Sequence, residues 1–173
     1  MGYAGGRKPN PTYYAMGDHT ESLEVDFDPT RVSLEQLLQI YAKLPHVRSR
    51  SYSRQYRNAI FYRTEAELQV IQRTLAETGK TFVDIESLRD FTLAEDYHQK
   101  YYLQDSDVME DYNTIYDDFW EFNDSTAAAR ANGYISGYGS AAQLRQDLPR
   151  LGLTPRNQQR LARLHGSPGF QCL

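Results

Sequence analysis

A chain of 173 residues, 40% hydrophobic and 24% charged, has the size and composition of one ordinary globular domain and is too short for two large ones. A formal net charge of -4 leaves no basic excess to displace counterions, so no general affinity for nucleic acid or anionic membrane is expected. The single cysteine, Cys172, excludes a disulfide or a cysteine zinc cluster within these residues; with neither a membrane-length apolar run nor a charged-then-apolar leader, the expectation is a soluble, cytoplasmic protein.

In chain order, Gly2-Tyr3-Ala4-Gly5-Gly6 reads as a tight glycine turn with no element in front of it. A polar loop from Asn10 then runs into an expected strand, Leu23–Phe27, in which Leu23, Val25 and Phe27 alternate with Glu24 and Asp26. That loop gathers Tyr13, Asp18, His19 and Glu21, all groups that donate, accept or move protons. It reads as a candidate site or, equally, as solvated turn chemistry before an edge strand. Ser33 with Gln36 forms a capping-box start for a helix whose apolar face is Leu34, Leu37, Leu38 and Tyr41, ended by Pro45. From Val47 to Arg57, arginine, serine and tyrosine interleave, including Arg50, Arg54 and Arg57. This suits either RNA contacts or a polar loop feeding a strand at Asn58–Tyr62.

Thr64 and Glu67 open a second helix with Leu68, Ile71 and Leu75 as its buried stripe and Gly79 as its stop. Val83, Ile85 and Leu88 predict a third strand. Residues 91–103 are dense in aromatics and read as helix or turn. The acidic stretch 105–124 keeps Tyr112, Ile115, Tyr116, Phe119 and Trp120 at helical spacing, which predicts an amphipathic helix packing on the main body. Beyond it, Ser125–Asn132 is helix-prone, Gly133, Gly137 and Gly139 mark a loop, and two short helices, Ala141–Leu151 and Pro155–Leu164, flank Gly152. Residues 166–170 are flexible by composition. His46 and His165 read as surface groups. His98 reads as a hydrogen-bonded structural residue, because no second ligand stands at helical spacing from it, and no metal is expected.

The segments Gly2–Gly6, Asn10-Pro11-Thr12-Tyr13, Gly17-Asp18-His19-Thr20-Glu21, Phe27-Asp28-Pro29, Gln55–Phe61 and Ala94-Glu95-Asp96-Tyr97-His98-Gln99 occur in the order seen in A-type peptide methionine sulfoxide reductases. The chain resembles that family over its first three-fifths. The resemblance implies an α+β two-layer sandwich resembling the ferredoxin-like plait, lacking its first strand and covering helix and so of low stability. It divides the chain into a reductase-like domain at 1–104 and an acidic helical segment with a C-terminal extension at 105–173.

It also implies a thiol-dependent oxidoreductase for the S-epimer of methionine sulfoxide, free or in proteins, with no bound cofactor and with thioredoxin or another dithiol as reductant and partner. Glu21 matches the family's proton donor, and Tyr13 and Tyr56 match the tyrosines that hold the sulfoxide oxygen. Asp18, His19, Gln55 and His98 fall in the supporting motifs. A sulfoxide oxygen leaves poorly until it is protonated, which is why a carboxylic acid among aromatics suits the task.

The family's Gly-Cys-Phe-Trp segment lies upstream of the glycine turn and is missing here. The expectation is therefore a truncated member, inactive as written, with Cys172 as a possible resolving thiol. Ser51 stands where many members have aspartate, and Pro45-His46-Val47 replaces His-Asp-Pro. The alternatives are a non-catalytic module that binds methionine sulfoxide or a protein partner, and an RNA-binding protein resting on Arg48–Arg57.

Overall fold

The structure, a computed structural model, describes residues 1–49, 51, 53–80 and 82–166. The expectations for Arg50, for Cys172 and for the stretch after Gly166 lie outside these residues. The chain is α+β. Its strands are β1 (Gly2–Ala4), β2 (Thr20–Ser22), β3 (Ala59–Tyr62), β4 (Asp84–Ser87) and β5 (Phe91–Leu93), and two compact units divide after Glu95.

In the first unit β1 is the centre of an antiparallel sheet, β2-β1-β5, and β3 pairs in parallel with β4 in a second sheet. All three residues of β1 are buried, with Tyr3 opposite Glu21 on one side and Thr92 on the other. Gly2 is required by the close approach of β5: a Cβ there would stand 2.5 Å from the Thr92 carbonyl oxygen.

Both expected helices form with both capping boxes closed. Helix α1 (Leu34–Tyr41) starts where Ser33 N donates to Gln36 Oε1 at 2.8 Å, and α2 (Glu65–Thr78) where Glu67 N donates to Thr64 Oγ1 at 3.2 Å. Gly79, at φ 66, ends α2 in the left-handed conformation. Leu38, Ile71 and Leu75 make the core between these helices, with Ile60 and Ile85 from β3 and β4 packed against it. Each such buried side chain contributes about 1.5–3 kcal/mol relative to exposure.

Three local expectations of this unit are corrected. Gly2-Tyr3-Ala4, expected as part of a glycine turn, is the strand β1, paired on both sides. The alternation Leu23–Phe27 forms no strand: β2 is Thr20–Ser22, and Leu23 and Val25 are 70% and 50% exposed. The ladder with β1 stops at Ser22 opposite Gly2, and alternation alone does not continue it. Conversely, Phe91–Leu93, expected as helix or turn, is the third strand of the main sheet, and Ala94 N extends the contact by donating to Met1 O at 3.1 Å.

The second unit, Asp96–Leu173, is helical in its described part: α3 (Tyr101–Gln104), α4 (Met109–Ile115), α5 (Phe119–Asp124), α6 (Thr126–Ile135), α7 (Ala141–Asp147) and α8 (Pro155–His165). The acidic stretch gives two short helices instead of one. Tyr116 is extended, and Asp118 caps the second helix by accepting Trp120 N at 2.8 Å. Tyr112 and Phe122 enter a core shared with Ala128, Ile135, Leu144 and Leu161, whereas Trp120 stays exposed. Gly133, expected in a loop, lies inside α6. Gly137 and Gly139, at φ 82 and 81, do make the turn after it.

One acidic residue of this stretch is buried. Asp111 accepts Thr154 N at 2.7 Å and Thr154 Oγ1 at 2.9 Å, tying α4 to the start of α8. Burial pushes its carboxyl up, but the hydrogen bonds from Thr154 and Asn157 outweigh burial and hold it below the usual aspartate value. A lowered folded-state value means that this contribution is complete above the unfolded value and is withdrawn as pH falls through the folded one. Thermal melts on an acid pH series are expected to show the wild type losing this component below the ordinary aspartate range. Asp111→Asn is expected to lack that component and to be destabilised by about 1–3 kcal/mol at neutral pH.

Candidate active site

The site is built in the first unit from the end of β2, the loop before it and the loop that leads into β3. Because residues opposite one another in a ladder share a face, Glu21 stands over Tyr3. The Glu21 backbone N–H donates to Gln55 O at 2.9 Å, bringing the second loop alongside β2. The Gln55 side chain then bridges two candidate groups: Nε2 donates to Glu21 Oε1 at 2.7 Å and to the Tyr56 hydroxyl at 2.9 Å. The Tyr56 hydroxyl is also hydrogen-bonded to that of Tyr13. That bond first, then partial burial and the nearby Glu21 carboxylate, hold the Tyr56 phenol above the ordinary tyrosine value. Glu21, Tyr13, Gln55 and Tyr56 thus form one polar cluster, and the Tyr56 side chain remains open to solvent.

Asp18 and His19 shape the loop. Asp18 Oδ1 accepts Arg7 N at 2.8 Å and Lys8 N at 3.2 Å, and the Arg7 bond leads the effects that hold its carboxyl below the usual range. His19 is buried, with Nε2 at 2.9 Å from Lys8 O. Gly6 is fixed by the same ring, since a Cβ there would fall onto the imidazole and stand 2.7 Å from His19 N. His98 belongs to the second unit, where its ring lies 4.2 Å from that of Tyr97 in the short turn Asp96–His98.

Two residues hold the cluster in a way that the sequence did not show. Glu95 Oε1 accepts Tyr13 N at 3.0 Å, and its Oε2 accepts the Tyr3 hydroxyl at 2.6 Å. Arg57 donates from Nε to Thr20 Oγ1 at 2.8 Å and is paired with Asp84 and Glu86. The Ala94-Glu95-Asp96 and Gln55-Tyr56-Arg57 words pointed to both positions, but their partners lie far away in sequence.

Arg54 donates to Asp18 O at 2.7 Å and Gly5 O at 3.1 Å, so both Arg54 and Arg57 are engaged inside the chain. That leaves the RNA reading little support from either. Ser51, which stands where many family members have aspartate, makes a local turn by donating to Ser53 O at 3.2 Å. Among the described residues no group of three His, Cys, Asp or Glu side chains is placed to hold a metal, and no helix is long and apolar enough to cross a membrane.

Comparison with known proteins places the chain in a family. The family described as peptide methionine sulfoxide reductase matches residues 1–131. A peptide methionine sulfoxide reductase of Drosophila melanogaster is 34% identical over 166 residues, covering 92% of this chain and 67% of its own length. Peptide methionine sulfoxide reductase MsrA 2 of Rhodopirellula baltica is 34% identical over 113 residues, 58% of this chain and 67% of that protein. The corresponding MsrA of Nitrobacter winogradskyi is 38% identical over 113 residues, 58% of this chain and 63% of that protein. The chain spans about two thirds of the length of these relatives. With a match over most of its residues and a two-thirds-length likeness to the fly protein, the chain belongs to the peptide methionine sulfoxide reductase family.

Proposed function

We propose that this chain carries the acid and oxygen-binding side of a site that reduces the S-epimer of methionine sulfoxide. The observation that supports the reading best is the Gln55 bridge, which sets a carboxyl, Glu21, beside a pair of hydrogen-bonded phenols, Tyr13 and Tyr56. In this reading the phenols donate to the sulfoxide oxygen while Glu21, in its protonated form, transfers its proton to that oxygen. A thiolate attacks the sulfur at the same time. The bond between the two sulfurs that this attack makes then breaks as the protonated oxygen passes from the substrate sulfur to the attacking sulfur, so the substrate leaves as a thioether and the attacking sulfur becomes a sulfenic acid. A dithiol such as thioredoxin then reduces the sulfenic acid, releasing water and becoming a disulfide.

The sequence of these residues contains no Gly-Cys-Phe-Trp, and its single cysteine is Cys172, proposed as a resolving thiol. By themselves the 173 residues are therefore proposed to bind sulfoxide without turning it over. The same reading takes residues 1–104 as the reductase-like part, of ferredoxin-like plait type, and 105–173 as an appended helical part.

Calorimetric titration with N-acetyl-methionine S-sulfoxide methylamide tests the binding half. Binding is expected for the wild type and about two- to tenfold weaker binding for Tyr13→Phe and for Tyr56→Phe, each of which deletes one hydrogen bond. No heat from a folded sample would end the reading. Joining a Gly-Cys-Phe-Trp segment ahead of Gly2 is expected to give dithiol-dependent reduction of the same compound. In that protein Glu21→Gln is expected to lower kcat by about 10²–10⁴-fold, the usual contribution of general acid catalysis, while changing KM little.

A further inference from the structure

The element that presents Tyr13 is a short 3-10 turn, Tyr13–Ala15, whose capping residue Thr12 is extended and makes no side-chain cap. The first N–H groups of such a turn have no partner inside it and must find one elsewhere. Here the partner of Tyr13 N comes from the far end of the unit: Glu95, which follows β5, accepts it at 3.0 Å. The other carboxylate oxygen accepts the hydroxyl of Tyr3 at 2.6 Å. Tyr3 is 1% exposed and lies on the central strand directly opposite Glu21. Met16, the residue after the 3-10 turn, and Ala94, beside Glu95, pack with Tyr3 in one small core, against which Tyr13 also lies.

We propose that Glu95 is a positioning residue for the oxygen-binding tyrosine, acting as a cap supplied in trans by the sheet that fixes Tyr13 relative to Glu21. Residues 5–19 join β1 to β2, and a tyrosine carried on such a connection would ordinarily take its place from the loop. Through Glu95 it takes its place from the strand register instead. Tyr3 anchors the carboxylate, the carboxylate anchors the Tyr13 backbone, and Glu21 sits across the ladder from Tyr3. Both oxygens of Glu95 act as acceptors. The functional meaning of this placement rests on the reading of Tyr13 and Tyr56 given above, but the placement itself does not.

The test uses the full 173-residue chain and NMR of labelled tyrosine and glutamate side chains. In the wild type the Tyr13 amide proton resonance is expected to shift in step with protonation of the Glu95 carboxyl. A Tyr13 amide indifferent to that protonation overturns the proposal, and this measurement decides the matter alone if the alanine variant does not fold. In folded Glu95→Ala, the loosened turn is expected to weaken the Tyr13–Tyr56 hydroxyl bond, so that Tyr56 titrates closer to an ordinary tyrosine.

Glu95→Gln is expected to restore the wild-type titration, because its Oε1 can accept Tyr13 N–H while its Nε2 donates to the Tyr3 oxygen. Tyr56 titrating alike in the wild type and in folded Glu95→Ala overturns the proposal. For N-acetyl-methionine S-sulfoxide methylamide, an affinity loss of about twofold to tenfold is expected in Glu95→Ala and recovery in Glu95→Gln. Equal affinity in the wild type and Glu95→Ala counts against the proposal. If the wild type shows the Tyr13–Glu95 coupling but binds no sulfoxide, the positioning role stands and the sulfoxide reading falls.

Discussion

The side chain of Arg57 joins what the backbone leaves separate. The two sheets of the first unit share no ladder, yet the guanidinium group reaches from one to the other. Nε donates to Thr20 on β2, and the terminal nitrogens bind Asp84 at 3.0 Å and Glu86 at 2.9 Å on β4. Its side chain is 9% exposed and lies 5.7 Å from the centre of the Phe61 ring on β3. The hydrogen bond to Glu86 leads the effects that raise the Arg57 value, and the same bond leads those that lower that of Glu86, so both groups favour their charged forms. The carboxylates remain partly open to water, which screens the attraction, so the bridge counts more for geometry than for stability. Gln55 and Tyr56 immediately precede Arg57, and fixing the arginine to Thr20 sets them beside Glu21, the next residue of β2.

Around that bridge the site rests more on buried polar groups than on a large apolar core. The main apolar cluster of the unit, Leu38, Ile71 and Leu75, belongs to the helices and to β3 and β4. Under the Tyr13 loop lies the small cluster of Tyr3, Met16 and Ala94. The rest is hydrogen bonding: His19 to Lys8 O, Thr20 Oγ1 to Arg54 O at 3.1 Å, Arg54 to two carbonyls, and Glu95 to Tyr3 and Tyr13. Apolar contacts are non-directional, whereas each of these bonds fixes an orientation. A loop that must present a hydroxyl at a definite point is better held by such bonds.

The sequence made visible what is local. The Ser33–Gln36 and Thr64–Glu67 boxes are closed within four residues, so spacing sufficed to place α1 and α2. Leu23–Phe27 failed because period-two alternation says only which way side chains would point. Whether a ladder exists depends on a partner strand, and the ladder between β1 and β2 stops at Gly2 opposite Ser22. Phe91–Leu93 was missed for the converse reason, since three residues are too few to show a period and the strand is made by pairing with β1. At the site, Glu21, Tyr13 and Tyr56 were legible through motif resemblance. The bonds that bring them together were not, because they cross 34 residues from Gln55 to Glu21 and 82 from Glu95 to Tyr13.

The choice of neighbours around Glu21 bears on the chemistry proposed for it. Of the arginines in the adjacent loop, Arg57 is matched by Asp84 and Glu86, and Arg54 is directed at the backbone carbonyls of Asp18 and Gly5. Among the described residues, the side-chain donor to Glu21 is instead the neutral amide of Gln55, at Oε1. A neutral donor steadies the carboxylate that remains after a proton is given up, without bringing a full charge to the acid beforehand. Because the same nitrogen also donates to the Tyr56 hydroxyl, that oxygen is already occupied as an acceptor, and its proton is directed away from Gln55. The Gln55 amide therefore orders both proposed partners of the sulfoxide oxygen at once, the acid through Oε1 and the phenol through its lone pair, which makes it the residue through which Arg57's bridging of the sheets reaches the chemistry.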